Sequence, residues 1–294
     1  MTRIIELGPT TWQAVAESGT PGAAEVPAVA ALERGDALFL PSLGFTIAAD
    51  ERPLFSPGIL SSAKNASFDP STGRVGGTTA GADVTRLAAL MRRFSDAAAA
   101  LVESLLPPYR PHLVRARTSF RPAEIAGRSS SWRKDDTRLH VDSFPASPVQ
   151  GRRILRVFSN VNPDGKPRRW RVGGEFESLV DRFGARLSLP WPGHAAILST
   201  LRMTKSRRTP YDALMLQLHD RMKADADFQR YSAQTTVDFP AGTTWLTFTD
   251  AVSHAAMAGQ YQLEQTFLLP VDAMSDERQA PLRVLERAFH RRLV

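Results

Sequence analysis

Two histidines and an aspartate have the residue types and the surroundings of a metal site. His140 and Asp142 lie in the segment 138–142, which we predict to be a strand. Residues two apart on a strand project to the same face, so this imidazole and this carboxylate could take adjacent positions on one metal ion. His254 follows a predicted turn and strand far downstream, and we predict that the fold returns it to the pair as the third ligand.

Two histidines and one carboxylate form the facial triad of non-haem Fe(II) oxygenases, which leaves positions open for a chelating 2-oxo acid and O2. The chain contains no cysteine, so thiolate zinc sites, iron–sulfur clusters and a cysteine nucleophile are excluded. His-x-Asp alone is a weak signal. A Pro-x-Gly turn, a strand and then His254 strengthen it, because this is the usual order in the distal half of a double-stranded β-helix. Surface or packing roles are predicted for the remaining histidines: His112, His194, His219 and His290.

A 2-oxoglutarate co-substrate would need a cation for its distal carboxylate, and the forked guanidinium of arginine suits it best. Residues 255–267, which follow the distal histidine, contain no arginine or lysine. Arg156 lies on the otherwise apolar inward face of a predicted strand, so it is the first candidate. Arg121, at the end of an earlier strand, is the second candidate. The pocket could be completed by Gln262 and Gln265.

The elements that must position these residues are mostly strands. Hydrophobic residues at helical spacing predict a helix over 83–106 with Asp83 as its N-cap, and further helices are predicted over 209–228 and 281–293. Short β-branched or aromatic segments bounded by turn residues predict strands. These strands are 37–40, 44–47, 113–120, 138–142, 154–159, 195–200, 235–239, 243–249 and 262–269.

This pattern predicts a mostly β fold with flanking helices, built on a double-stranded β-helix (jelly-roll or cupin-like) core. We expect one dioxygenase domain over residues 1–294. Its predicted parts are N-terminal strands and a supporting helix (1–110), the β-helix core (111–270) with an inserted helix (209–228), and a C-terminal helix (281–293).

The charge balance favours an anionic partner. The formal net charge is +7, and cationic residues cluster at 128–138, 166–171 and 202–208. Such clusters are often only solvated surface, and charge alone does not choose between lipid, nucleic acid and an acidic substrate. No signal peptide is predicted at the N-terminus, and no apolar stretch is long enough to span a bilayer.

With these residues assembled, the chain resembles the Kdo hydroxylase family of iron(II)/2-oxoglutarate dioxygenases. The resemblance lies in three blocks, over about residues 35–290 of the chain: RLHVDSFPASP from 138, RILRVFSNVNP from 153 and VSHAAMAGQYQLEQTF from 252. It implies His140, Asp142 and His254 as iron ligands, and Arg156 and Arg121 as partners of 2-oxoglutarate. Fe(II), 2-oxoglutarate and O2 are the implied cofactors and co-substrates, with ascorbate expected in an assay.

The resemblance also implies a reaction: hydroxylation at C3 of 3-deoxy-D-manno-oct-2-ulosonic acid (Kdo) in the inner core of lipopolysaccharide. The product would be D-glycero-D-talo-oct-2-ulosonic acid, with succinate and CO2. The implied partner is Kdo-lipid A or another acidic glycolipid. The implied location is cytoplasmic, peripheral on the cytoplasmic face of the inner membrane.

Several alternatives stay open on the sequence. The same iron chemistry could act on another acidic sugar, a lipid or a modified base. A basic nucleic-acid-binding protein is the non-enzymatic alternative, although no motif supports it and no nucleic acid is expected. A cupin-like barrel without metal is another. The helix predicted over 281–293 could lie on an anionic membrane surface or pack on the barrel.

Overall fold

The computed structural model describes residues 1–18, 28–191, 200 and 204–294. These residues form strands in two sheets. The strands are β1 (Ile4–Glu6), β2 (Ala37–Leu40), β3 (Ala66–Phe68), β4 (Val75–Gly76), β5 (Val114–Arg121), β6 (Arg153–Asn160), β7 (Arg168–Val172), β8 (Thr235–Phe239), β9 (Thr243–Phe248), β10 (His254–Ala258) and β11 (Gln262–Leu269). The larger sheet has the order β1-β2-β9-β6-β11-β5-β3-β4, and the smaller has the order β10-β7-β8.

Helices pack against the larger sheet and against one another. They are α1 (Trp12–Ser18), α2 (Ala28–Glu33), α3 (Val84–Leu105), α4 (Phe176–Phe183), α5 (Pro210–Ala224), α6 (Ala226–Tyr231) and α7 (Pro281–Phe289). The helix predicted over 83–106 is confirmed as α3. Asp83 caps it by accepting a hydrogen bond from the backbone N–H of Arg86, and Leu87, Leu90 and Phe94 are among the residues it buries.

Alternating side chains of β6 separate two cores. Leu155 and Val157 belong to the large core that contains the buried face of α3. Phe158 points the other way, into a small aromatic core between the two sheets. One face of β6 therefore lines the barrel interior. The other face of the larger sheet packs against the helices.

Strands from the N-terminal segment belong to the same sheet as the core. β1 and β2 pair in parallel, and β2 then pairs antiparallel with β9. At the opposite edge, β3 pairs with β5. Residues 1–110 therefore extend the barrel wall on both sides, and the single-domain organisation stays a prediction.

Some sequence-based boundaries are wrong. The inserted helix predicted over 209–228 is interrupted at Asp225, which ends α5 and caps α6 by accepting a hydrogen bond from the N–H of Phe228. No strand forms at 44–47. The strand predicted over 195–200 lies outside the described residues, except for Thr200.

The C-terminal helix packs on the protein instead of presenting its apolar face to a membrane. Leu282, Val284 and Leu285 are buried in the large core. The helix ends at Phe289, short of the predicted residue 293, because His290 adopts a left-handed conformation with φ 51°. Within the described ranges, none of the helices has both the length and the hydropathy that crossing a membrane requires.

Candidate metal centre

His140 and His254 are joined through their backbones. The N–H of His140 donates to the carbonyl of His254 (3.0 Å), and the N–H of His254 donates to the carbonyl of His140 (2.9 Å). This is a single antiparallel bridge. The prediction of a strand over 138–142 is therefore wrong, since only His140 is paired in this way. The bridge nonetheless places the two imidazoles beside each other, with ring centroids 4.7 Å apart.

Asp142 completes a three-residue cluster. Its backbone N–H donates to the carbonyl of Thr249 (2.8 Å), which fixes the loop after His140 against the end of β9. One atom each of His140, Asp142 and His254 lie within 4.8 Å of one another. The structure thus brings together the three residues that the sequence singled out, although their positions along the chain are far apart.

The hydrogen bonds of the two imidazoles leave the same ring nitrogen free. Nδ1 of His140 lies 2.7 Å from the carbonyl oxygen of Arg138, and Nδ1 of His254 lies 2.8 Å from that of Val252. A carbonyl only accepts, so each Nδ1 carries the proton and each Nε2 has a free lone pair. Histidine ligands of metals are typically held in this way through the second ring nitrogen.

Burial and neighbouring charges hold all three side chains in the form that binds a metal. Burial lowers the pKa of His140 well below its ordinary value, and burial also lowers the pKa of His254. Burial opposes ionisation of Asp142, but the adjacent Arg156, helped by a hydrogen bond with Thr249, outweighs it and holds the pKa of Asp142 well below the usual range. Two neutral imidazoles and one carboxylate are the donor set of a facial triad, so these residues fit Fe(II).

Two aromatic rings that the sequence analysis did not single out, those of Trp170 and His219, pack on the triad. Trp170 stacks on the ring of His254 with centroids 5.2 Å apart. The ring of His219 meets that of His140 edge-on at 5.3 Å. His219 lies on α5, and its position on a helix gave no signal of this contact. Both contacts restrict the rotation of the imidazoles.

Arg156 and Arg121 both reach the centre, as predicted, but both contact carboxylates there. Nε of Arg156 lies 3.3 Å from Oδ2 of Asp142, an ion pair without hydrogen-bond geometry, and its Nη1 lies 3.0 Å from Oε1 of Glu264. Arg121 donates from Nε to Oε2 of Glu264 (3.0 Å). Glu264, which is buried, therefore joins the two candidate arginines.

Arg168 is a third arginine at this site and it lacks a counter-ion. It is 2% exposed, and none of the described carboxylates lies within ion-pair distance of it. Nη1 donates to the carbonyl of Gly259 (2.6 Å), whereas Nε has no hydrogen-bond partner among the residues that the structure describes. Burial, helped by repulsion from Arg121, lowers the pKa of Arg168 to about 9. A buried cation in this state is a candidate partner for a ligand carboxylate.

Gly259 makes room for Arg168. Its φ is +105°, and a Cβ there would stand 2.9 Å from the carbonyl oxygen of Pro167 and 3.0 Å from Cδ of Arg168. Only glycine tolerates both the backbone conformation and the close approach.

The triad and all three arginines line one cavity of about 110 Å³. Gln262 also lines it, as predicted. Gln265 does not, because its side chain bonds to Thr118 and to the carbonyl of Ala116.

The cationic segments 166–171 and 202–208 differ in structure. Residues 168–172 form β7, so Arg168 faces the cavity while Arg169 pairs with Asp238 on the next strand at 2.7 Å. In the segment 202–208, Arg202 lies outside the described residues, and Lys205 is exposed.

Comparisons with known proteins give the family of the chain. A family model described as 3-deoxy-D-manno-oct-2-ulosonic acid (Kdo) hydroxylase matches residues 18–292. The Kdo hydroxylase KdoO, solved as a non-haem Fe(II) alphaketoglutarate-dependent dioxygenase with cobalt(II), is 43% identical, with a TM-score of 0.92, and the match covers 100% of this chain and 98% of that one.

Two further complexes of that enzyme are 42% identical, with the same shares of the two chains covered and a TM-score of 0.91. One contains alphaketoglutarate (2-oxoglutarate) and Fe(III), and the other succinate and Fe(III). A search of curated proteins found no match. The predicted fold class, enzyme class and cofactors are confirmed. The chain therefore belongs to the Kdo hydroxylase family, and it is an Fe(II)/2-oxoglutarate-dependent dioxygenase that hydroxylates Kdo.

Proposed function

We propose that this enzyme hydroxylates C3 of a Kdo residue in the inner core of lipopolysaccharide, with Kdo-lipid A as acceptor. The convergence of His140, Asp142 and His254 carries the assignment of the chemistry to this cavity. The substrate carbon and one atom of O2 form the new hydroxyl group. 2-Oxoglutarate, which supplies two electrons, leaves as succinate and CO2.

The choice of C3 rests on the chemistry of the sugar. C3 is the deoxy carbon of Kdo, so a hydroxyl group added there gives a stable alcohol. Oxygen added to a carbon that already bears a hydroxyl group would give a hydrate that collapses to a carbonyl, which is an oxidation and not a hydroxylation. The product at C3 is D-glycero-D-talo-oct-2-ulosonic acid.

His140, Asp142 and His254 would hold Fe(II) through two Nε2 atoms and one carboxylate oxygen. Bound iron supplies the activation of O2, and the triad leaves three of six positions for the 2-oxo acid and O2. Arg156 pairs with Oδ2 of Asp142, which leaves Oδ1, the oxygen 3.8 Å from Nε2 of His140, for the metal. Arg156 would therefore orient the carboxylate ligand.

Arg168 would bind the distal carboxylate of 2-oxoglutarate, with Arg121 beside it. The argument is the unmet charge of Arg168, since a ligand carboxylate would offset the cost of burying a guanidinium without a counter-ion. Arg156, the first candidate from the sequence, has both Asp142 and Glu264 as partners. Its role as the anchor stays a prediction. The KM for 2-oxoglutarate of Arg156 and Arg168 variants tests which of the two arginines binds the distal carboxylate.

We further propose that the enzyme acts as a peripheral protein at the cytoplasmic face of the inner membrane, the location that the family resemblance implies. Kdo-lipid A is anchored in the bilayer by its acyl chains, and the net charge of +7 would draw the enzyme to an anionic surface.

The test is to incubate the purified protein with Fe(II), ascorbate, 2-oxoglutarate and Kdo-lipid A. The sugar should gain one oxygen atom by mass spectrometry, and NMR of the released sugar should place the new hydroxyl group at C3. Succinate should form in equal amount to the hydroxylated sugar. An added oxygen at any other carbon would overturn the proposed product.

A further inference from the structure

A second and larger cavity adjoins the metal centre. It has a volume of about 580 Å³, within the range of about 300–1,000 Å³ that small-molecule sites occupy. It shares Arg121, Arg156 and Glu264 with the cavity of the triad, so these side chains form the common wall. The triad cavity, at about 110 Å³, is too small for a glycolipid head group, and most of an acceptor must lie elsewhere.

Cationic side chains dominate this larger cavity, which we call the cationic cleft. Its cationic lining residues are Arg115, Arg117, Arg121, Arg152, Arg156 and Lys205. Only two carboxylates, Asp69 and Glu264, belong to the same described lining. The cleft is therefore a region of positive potential beside the reaction centre.

Most of these cations are neutralised, but two are not. Arg115 pairs with Asp96 (2.5 Å), and Arg117 pairs with Asp69 (3.3 Å). Arg121 and Arg156 share Glu264. In contrast, Arg152 and Lys205 have no carboxylate within 4.0 Å in the part of the chain that the structure describes, and the guanidinium of Arg152 donates only to the carbonyl of Val149 (3.0 Å).

The loops that carry Arg152 and Lys205 are tied to each other and to the fold. The backbone N–H of Lys205 donates to the carbonyl of Ala146 (2.9 Å). Oδ1 of Asp212, at the start of α5, accepts from the N–H groups of Val149 (2.8 Å) and Gln150. The two free cations are thus presented from fixed backbone, which lowers the entropy cost of binding an anion.

We propose that the cationic cleft binds an anionic group of the acceptor in the unit next to the sugar being hydroxylated. This inference rests on the proposed function, because it assumes that the acceptor is a Kdo glycolipid. Arg152 and Lys205 recognise carboxylate or phosphate oxygens by charge-assisted hydrogen bonds. The shared ligand chemistry is an anionic oxygen cluster, supplied by the carboxylate of a second sugar acid or by a phosphate of the lipid anchor.

The test uses the variants Arg152→Gln and Lys205→Gln, with Arg230→Gln as the matched control. Arg230 is an exposed cation on α6 that lines neither cavity. Each cleft variant should raise the KM for Kdo-lipid A about ten-fold, the loss of one charge-assisted contact. The KM for 2-oxoglutarate and the kcat should stay unchanged. Arg230→Gln should behave as the wild type.

Two modified acceptors identify the anionic group. An acceptor without phosphates and an acceptor with a single sugar acid are each compared with the intact one. With the acceptor that lacks the recognised group, the KM of the wild type should rise by about 10- to 100-fold, because the contacts to both Arg152 and Lys205 are lost. Lys205→Gln should raise this KM no further, since its contact is already absent.

The outcomes separate this inference from the proposed function. Wild-type turnover with an unchanged acceptor KM in both variants overturns the cleft assignment and leaves the function standing. Failure of the wild type to hydroxylate any acceptor overturns the function. In that case calorimetric titration with Kdo-lipid A, which needs no turnover, still tests the cleft assignment. Equal affinity of the wild type and the variants overturns the assignment, and weaker binding by the variants supports it.

Discussion

His140 and His254 face each other across one antiparallel bridge and exchange both backbone hydrogen bonds, at 3.0 and 2.9 Å. The two imidazoles are therefore positioned by the main chain, and the carbonyls of Arg138 and Val252 fix their tautomers. A pair held by the backbone is already arranged before a metal arrives, which lowers the cost of binding it.

Removing any member of the triad should abolish turnover and leave the fold intact. In His140→Ala, Asp142→Ala and His254→Ala, two ligands remain, and Fe(II) should no longer be retained. Succinate formation and calorimetric titration with Fe(II) or Co(II) measure the two effects, and circular dichroism checks the fold. His112→Ala, which changes an exposed histidine, should act as the wild type. Full activity in any of the three variants would disprove the metal assignment.

The three arginines of the cavity should differ in kinetic effect. Arg168→Gln should raise the KM for 2-oxoglutarate by about 10- to 100-fold, since it removes a charged donor to the distal carboxylate. Arg121→Gln should have a smaller effect of the same kind. Arg156→Gln should instead lower Fe(II) affinity about 10- to 100-fold, because Asp142 loses the partner that orients it. Steady-state kinetics at saturating Fe(II) separate these effects.

A thermal measurement gives the same experiment a second readout. 2-Oxoglutarate should stabilise the wild type by about 2.7 kcal/mol at 100 times its Kd, and at the same concentration this stabilisation should fall to about 0.4–1.4 kcal/mol in Arg168→Gln, as a 10- to 100-fold weaker affinity requires. The free variant should be no less stable than the wild type, because it loses a buried cation that has no counter-ion. A raised KM in Arg156→Gln together with a normal KM in Arg168→Gln would return the anchor to Arg156.

The pairing of His140 with Asp142 was predictable because its signal is local, whereas His254 was predicted only from the turn and strand before it. His140 and Asp142 are two residues apart, and the backbone between them needs only to be extended for both side chains to reach one metal. The wrong strand over 138–142 did no harm for this reason. The buried strands β9 and β11 were also predictable, since β-branched and aromatic residues bounded by turns mark them.

Arg168 was not predictable from its own segment. The sequence Lys166-Pro-Arg-Arg-Trp-Arg carries so much charge that it suggests a solvated loop. What buries Arg168 is tertiary structure: β7 is the central strand of the smaller sheet, and Gly259 on the neighbouring connection leaves room for the guanidinium. By contrast, α4 was not among the predicted helices, although the sequence could have revealed it. Its buried residues Phe176, Leu179, Val180 and Phe183 have helical spacing.

Asp136 should make stability depend on pH at acidic values. It lies between Lys64 (2.8 Å) and Arg128 (2.6 Å), near Arg121. Burial opposes its ionisation, but these cations outweigh burial and hold its pKa well below the usual range. A carboxyl whose pKa is depressed by folding stabilises the fold above its unfolded pKa of about 3.9, and this contribution is lost as pH falls towards the folded pKa.

Asp136→Asn should therefore lower the free energy of unfolding at pH 7 by about 2 kcal/mol, since it leaves cations unpaired at a half-buried site. The difference from the wild type should shrink steadily below about pH 4. Urea unfolding at a series of pH values measures it. Asp50→Asn, at an exposed position with one long ion pair, is the control and should change little. A difference that stays constant down to pH 2 would show that Asp136 does not act through its charge.

Leu285 anchors the C-terminal helix, α7, on the protein core. Its side chain is 0% exposed, and the helix contacts α4 through the large core. Leu285→Ala should cost about 2–5 kcal/mol of stability, as other large-to-small changes in buried cores do.

The arginines of the helix are held in ion pairs, Arg287 with Glu177 and Arg283 with Glu286, and so do not form a free basic face. Binding to anionic vesicles, measured by co-sedimentation at a temperature where the variant is folded, should therefore stay equal to that of the wild type. A variant of normal stability that no longer sediments with vesicles would reverse this assignment and place α7 on the membrane.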